Sequence, residues 1–236
     1  MLEVLDLHTF YGRSHVLQGV KLKVGSGEIV CLLGRNGVGK STTLKSIIGL
    51  TPPRDGKVFF EGQEIQGRRA DEISRLGISY VPEDRRIFPM LTVKENLILG
   101  TKNAPRMSAG EKAAGLERAY HYFPILKDKE KQFGSTLSGG QQQMLAVARG
   151  LMGNPKLMLL DEPFEGLAPL IISELMAIVV ALCRQEKMTL LLVEQKARLA
   201  LKMSHRGYVL EKGVVRCEGP SPVLIDSQEV RERCGL

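Results

Sequence analysis

The stretch from Ile29 to Thr42 restricts the fold more than any other part of this 236-residue chain. Ile29 to Leu33 run without a polar break, the pattern of a parallel strand covered on both faces. They lead directly into Gly34-Arg35-Asn36-Gly37-Val38-Gly39-Lys40-Ser41-Thr42, which satisfies the G-x-x-x-x-G-K-[ST] pattern, and then into a helix predicted from Ser41 to Leu50. The glycines let backbone amides bend around phosphate groups, Lys40 brings positive charge to the β and γ groups, and Ser41 offers a hydroxyl to Mg²⁺. The helix adds its N-terminal dipole. A glycine-rich turn that merely precedes a helix gives no reason for Lys40.

Two more continuously apolar runs, Leu157 to Leu160 and Leu190 to Val193, predict further buried parallel strands, with ligands gathering at the exits of all three. The second strand delivers Asp161 and Glu162. Asp161 is suited to the Mg²⁺ shell and Glu162 to acting as general base on an attacking water. Adjacent acids repel a triphosphate unless a metal intervenes, so the pair argues for Mg²⁺ beside the nucleotide. Alone, Asp161-Glu162-Pro163 reads as a polar turn; the cradle changes its meaning. Cradle and acids together still leave kinases, GTPases and helicase motors open.

The remainder of the chain narrows the choice. Its +7 charge is spread in short pairs such as Arg68-Arg69, with no basic run carrying stacking aromatics, so a solvated surface is expected and no nucleic-acid partner. Cys31, Cys183, Cys217 and Cys234 have neither CxxC nor metal-ligand spacing, which predicts reduced thiols. No secretory leader is expected from Met1 to Thr9, and no apolar stretch is long enough to cross a bilayer. No repeat or linker divides the chain, so one domain over 1–236 is predicted. Both ends read as β-rich: Val20, Leu22 and Val24 alternate with lysines, and Tyr208 to Leu210 and Val214 to Cys217 predict a half-exposed antiparallel hairpin. The middle is helical, with capping boxes at Thr92/Glu95 and Ser108/Glu111 and a helical stripe of Leu116, Ala119, Tyr120 and Phe123 ending at Pro124. A further helix is predicted from Ser138 to Gly153-Asn154-Pro155. Residues 88–153 thus form a helical lobe inserted between 1–87 and 154–236.

That last helix opens as Leu137-Ser138-Gly139-Gly140-Gln141, a hydroxyl-capped N-terminus that makes a second anion surface. Here the chain resembles the ABC ATPase family, whose signature is LSGGQ. The resemblance implies an α/β P-loop NTPase of the ABC ATPase fold, with a mixed sheet core, an N-terminal antiparallel β subdomain and an inserted helical subdomain. It also implies that Ser138, Gly139, Gly140 and Gln141 close over the γ-phosphate of ATP held on Gly34 to Thr42 of a second ATPase subunit. Tyr11 is similar to the aromatic that stacks on adenine. Phe164 to Pro169 resembles the D-loop that touches the partner, and Val81 to Arg86 the segment that relays nucleotide state to a membrane partner.

Three positions depart from the family pattern. Glu83 replaces a Gln near Mg²⁺, Gln195 replaces the switch His, and Phe164 replaces a small residue. Gln195 can hydrogen-bond the γ-phosphate but cannot titrate near neutral pH. The phrases Val81 to Pro89, Glu165 to Pro169 and Leu192 to Gln195 most resemble the ATP-binding subunits of branched-chain amino-acid importers, with urea and amide importers close. The resemblance implies a partner ATPase of another chain or a second copy, two transmembrane permease subunits, a periplasmic binding protein, and a peripheral place on the cytoplasmic face of the inner membrane. A soluble ABC ATPase acting on nucleic acid or ribosomes is the alternative, although such proteins usually carry a coiled coil or tandem cassettes.

Overall fold

The computed structural model describes residues 1–102 and 107–234, so residues 103–106 of the predicted helical lobe lie outside it. In chain order its elements are β1 (Leu2–Tyr11), β2 (Ser14–Val24), β3 (Ile29–Leu33), α1 (Lys40–Ile47), β4 (Asp55–Phe60), β5 (Gln63–Glu64), α2 (Ala70–Arg75), β6 (Ile78–Val81), α3 (Val93–Leu99), α4 (Ala109–Tyr122), α5 (Pro124–Asp128), α6 (Gly139–Leu151), β7 (Leu157–Asp161), α7 (Pro169–Glu186), β8 (Thr189–Glu194), α8 (Ala197–Met203), β9 (Arg206–Glu211), β10 (Val214–Pro220), α9 (Ser221–Leu224) and α10 (Gln228–Cys234), with a 3₁₀ turn at Gly134–Thr136.

The apolar patterning dictates the layers. Alternation in β1 and β2 buries Leu2, Val4, Leu7, Val20, Leu22 and Val24 under a four-stranded antiparallel sheet of order β2-β1-β4-β5. The second sheet has order β10-β9-β3-β8-β7-β6, and β3, β7 and β8 are buried at every residue. Successive residues of a strand face opposite ways, so an unbroken apolar run needs cover on both sides. Val30, Leu32, Leu157, Leu159, Leu191 and Val193 pack toward the antiparallel sheet and α1. Cys31, Leu33, Met158, Leu160, Leu190 and Leu192 pack toward the helices on the other face.

Two sequence expectations need correction. The Tyr208 to Cys217 hairpin forms, but β9 is not half-exposed: Gly207 to Leu210 are buried and β9 runs parallel to β3, leaving only β10 as the antiparallel edge. The helix after the cradle stops at Ile47, because Gly49 adopts φ 79° and the chain closes with Gly49 N donating to Ser46 O and Leu50 N to Lys45 O. That paired closure is the usual glycine stop of a helix.

Between β6 and β7 lie α3 to α6. Both predicted capping boxes form: Glu95 N donates to Thr92 Oγ1 at 3.2 Å while Thr92 N donates to Glu95 Oε2 at 2.8 Å, and Ser108 and Glu111 exchange the same contacts. Pro124 ends α4 and opens α5 as its first residue. From α6, Arg149 donates to the carbonyls of Arg86 and Arg85 at 2.7 and 2.8 Å, so the segment after β6 is strapped to that helix. Arg85 and Arg86 both hold left-handed backbone, φ 58° and 48°.

The hairpin between β9 and β10 supports the glycine loop from outside, with Gly213 N donating to Val38 O at 3.0 Å and Gln18 N to Gly213 O at 2.8 Å. Gly213 has φ 77°, and a Cβ there would run into Val16 O. Gly213→Ala should therefore lower stability by about 1–3 kcal/mol. Urea denaturation checks this, and an unchanged midpoint would show that the hairpin tip is not held in this conformation.

Candidate functional site

The sheet order brings the exits of β3, β8 and β7 side by side, with Leu33 level with Glu194 and Asp161 level with Val193. Gly34 to Gly39 curl out of β3. Gly39, at φ 112°, starts α1 without any side-chain cap, which leaves the first amides of the helix free to face an anion.

Across this opening the two predicted halves meet. Lys40 Nζ lies 2.9 Å from Glu162 Oε1, with both side chains almost wholly buried, 3 % and 8 % exposed. Lys40 also donates to Arg35 O at 3.0 Å. Ser41 Oγ donates to Asp161 Oδ1 at 2.8 Å, and Tyr80 Oη donates to Asp161 Oδ2 at 2.8 Å. Asp161 is therefore held through both oxygens. Glu162 adopts left-handed backbone, φ 44°, which turns its carboxylate back toward Lys40.

The cleft over these groups is about 260 Å³ and is lined by Asn36, Gly37, Lys40, Ser41, Thr42 and three glutamates, Glu83, Glu162 and Glu165. Burial pushes the Glu83 carboxyl upward, and the charges of Glu165, Glu162 and Asp161 push it further. Burial likewise raises the Tyr80 phenol, with Asp161 adding to it, so Tyr80 stays a donor. The donor set is oxygen only, a hydroxyl and carboxylates, as Mg²⁺ requires. A larger groove of about 360 Å³ lies between β6 and α6, beside Tyr80, Phe88 and Arg149, and includes none of the glycine-loop residues.

The other predicted positions stand apart from this cleft. Tyr11 is half exposed at the end of β1, its hydroxyl 3.4 Å from Thr51 Oγ1. Next to it Arg54 lies 4.2 Å over the Phe10 ring and donates to Gly12 O at 3.3 Å. Ser138 caps α6, accepting from Gln141 N at 3.3 Å, while Ser138 N donates to Gln141 Oε1 at 3.0 Å. Gly139 lies under the Arg85 guanidinium and Gly140 against Ile171. Gln195 is exposed just past β8. None of Tyr11, Gln195 or Ser138 to Gln141 lines the cleft, so a single chain does not enclose a ligand with them.

Sequence reasoning missed four residues. Tyr80 is legible in hindsight as the one phenol in the strand Ile78 to Val81, since a partly buried phenol needs a partner. Glu165 carried no signal before its position beside Glu83 was known. Glu194 is 2 % exposed and accepts from Phe164 N and Lys196 N, both at 3.2 Å, while Lys196 Nζ donates to Phe164 O at 3.1 Å. Burial pushes its carboxyl up to about 7 despite those two backbone donors.

A buried strand ending in a phosphate-binding glycine loop, with a lysine facing acids from the next strand but one, defines a P-loop nucleoside triphosphatase. The ABC transporter family model matches residues 17–165. The chain is 41 % identical over 232 residues, 98 % of each chain, to the high-affinity branched-chain amino acid transport ATP-binding protein BraG of Pseudomonas aeruginosa. It is 34 % identical to the probable branched-chain amino acid transport ATP-binding protein LivF of Archaeoglobus fulgidus, covering 99 % of this chain and 98 % of that protein. It is 32 % identical to the lipopolysaccharide export system ATP-binding protein LptB of Haemophilus influenzae, covering 100 % and 97 %. Among solved structures, a nucleotide-free ATP-binding cassette from an ABC transporter superposes with TM-score 0.87 at 25 % identity, covering 100 % of this chain and 98 % of that one. The dimeric post-hydrolysis cassette MJ0796 bound to ADP and Pi gives 0.82 at 27 %, covering 94 % and 99 %. This chain belongs to the ABC transporter family and is an ATP-hydrolysing, ATP-binding transporter subunit. No helix among the described residues is long and apolar enough to cross a membrane.

Glu83 and Glu194 both bind a proton more tightly folded than unfolded. Their contribution to stability is therefore complete below the ordinary carboxylate range and is lost as pH rises through the folded values. For Glu194 the window runs from 4.5 to about 7. Melting temperature should fall across that window, and Glu194→Gln should flatten part of the fall; parallel curves would show that Glu194 is not proton-linked to folding.

Proposed function

We propose that this chain is the ATP-hydrolysing subunit of an importer for branched-chain amino acids, working against a second ATPase subunit, of a different chain or a second copy. The observation that carries the catalytic part is the meeting of Lys40 with Glu162 and of Ser41 with Asp161 over one cleft. ATP would lay its phosphates on Gly34 to Thr42, with the free amides at the start of α1 and Lys40 facing the β and γ groups. Tyr11 would stack on the base. Ser41 and Asp161 would hold Mg²⁺, with Glu83 nearby; the ion supplies positive charge to the phosphate oxygens.

The Lys40 to Glu162 pair gives this site a built-in order of events. The γ-phosphate carries more negative charge than one carboxylate and competes for the same ammonium, which releases Glu162 to accept a proton from water. Water oxygen then bonds to the γ-phosphorus, the bond to the bridging oxygen breaks toward ADP, and the proton goes to Glu162. Gln195 would hydrogen-bond the γ-phosphate, while Ser138 to Gln141 would serve the nucleotide held by the partner. Because Ser138 to Gln141 lie outside this chain's own cleft, enclosure of ATP by that surface would call for a dimer.

Residues 88–153 act in this reading as one lobe against a core of 1–87 and 154–236. Two transmembrane permease subunits and, through them, a periplasmic binding protein complete the assembly, with this chain peripheral on the cytoplasmic face. The solute assignment rests on likeness to BraG and LivF, since the chain's own residues touch only nucleotide and protein.

Glu162→Gln should lower ATP turnover by roughly 10²–10⁴ while ATP still binds. Lys40→Ala should abolish ATP binding in a fluorescent-nucleotide titration, and unchanged affinity would remove the cradle's role. The solute is tested by purifying the chain from membranes with its bound subunits and measuring ATP-driven leucine uptake in vesicles. Uptake of urea or an amide instead would reassign the solute, and a complex that moves lipopolysaccharide would reassign the direction of transport.

A further inference from the structure

We infer that Glu194 and Lys196 are positioning residues that fasten the loop carrying Glu162 to the loop carrying Gln195, so that the two act as one piece in hydrolysis. The inference rests on the roles proposed above for Glu162 and Gln195 and goes beyond them, because neither Glu194 nor Lys196 faces the nucleotide cleft.

Three contacts stitch the loops together and a fourth fixes the second loop on itself. Glu162 N donates to Val193 O at 3.0 Å, continuing the sheet past its last strand residues. Glu194 Oε1 accepts from Phe164 N and Oε2 accepts from Lys196 N, so both carboxylate oxygens are committed to backbone amides of different loops. Lys196 Nζ closes the ring by donating to Phe164 O. Phe164 thus has both its amide and its carbonyl held by the residues on either side of Gln195, and its own ring is fully buried.

The chemistry of the group argues that geometry is what this arrangement secures. A carboxyl with almost no solvent contact is costly to bury, and burial raises its proton affinity accordingly. An apolar residue would fill the same space without that cost, but it would leave the Phe164 and Lys196 amides without acceptors. Gln195 has no charge to contribute, so its effect on a γ-phosphate depends on where its amide stands. That is set by the backbone that Glu194 and Lys196 pin. The same pin fixes Phe164, two residues from Glu162.

The test compares Glu194→Ala, Glu194→Gln, Lys196→Met and the double variant Glu194→Ala/Lys196→Met in the full chain, with saturating-ATP turnover and ATP affinity measured separately. Misplacing a reacting group by a fraction of its productive distance costs rate and not binding, so Glu194→Ala and Lys196→Met should each lose roughly tenfold or more in kcat. ATP affinity should stay within about threefold of wild type. The double variant should lose little more than the worse single one, because both act through Phe164. Glu194→Gln, which keeps one acceptor, should fall between. Lys196 is exposed, so Lys196→Met remains readable if Glu194→Ala folds poorly. Wild-type kcat in Lys196→Met, or equal losses in kcat and affinity, would overturn the inference. Glu162→Gln measured alongside separates the two readings: normal turnover there refutes the general base, whereas the kcat-to-affinity split of the other variants judges the clamp.

Discussion

The buried ion pair between Lys40 and Glu162 is the contact on which the site depends. It joins loops from β3 and β7, strands that are not neighbours because β8 lies between them, and the Ser41 to Asp161 hydrogen bond runs beside it. Both charges have left water, and each is compensated chiefly by the other. Deleting one partner of such a pair typically costs about 3–5 kcal/mol, because a lone charge stays behind. A ligand that takes Lys40 from Glu162 must therefore offer at least as much negative charge at the same place, which a triphosphate does and a neutral metabolite does not. On the proposed roles of Lys40 and Glu162, this resting contact would favour polyanions.

The charge balance of the site also turns on positions 83 and 195. Glu83, Glu165 and Glu162 line one cleft, with Asp161 beneath Ser41, and burial first, then repulsion from the other three acids, raises the proton affinity of Glu83. A carboxylate at position 83 adds negative charge where an amide would be neutral, so a cation near this cleft is held more firmly, or a proton takes its place. At position 195 the change runs the other way, from a residue able to carry charge to one that cannot.

Much of this was readable from residues alone, for identifiable reasons. The three unbroken apolar runs, each leading into polar residues, match doubly covered strands in the fold. Capping boxes at Thr92 and Ser108 are local chemistry between residues three apart, so no distant contact could disguise them. The β9 strand misled because its apolar run, Tyr208 to Leu210, is too short to tell a covered strand from a half-covered one. Glu194, Lys196 and Glu165 were invisible because their partners come from loops that only the folded sheet order brings together. Tyr80 meets Asp161 across 81 positions of sequence, and no spacing rule reaches that far.

Arg149 has a mechanical meaning beyond its two hydrogen bonds. It sits on the helix that begins with the Ser138 cap, and its guanidinium grips consecutive carbonyls of a segment already bent into two successive left-handed residues, just after Glu83. Such a strained crook has few alternative shapes into which it can relax. A tilt of α6 would have to break both of these hydrogen bonds or carry the Arg85–Arg86 crook along with it.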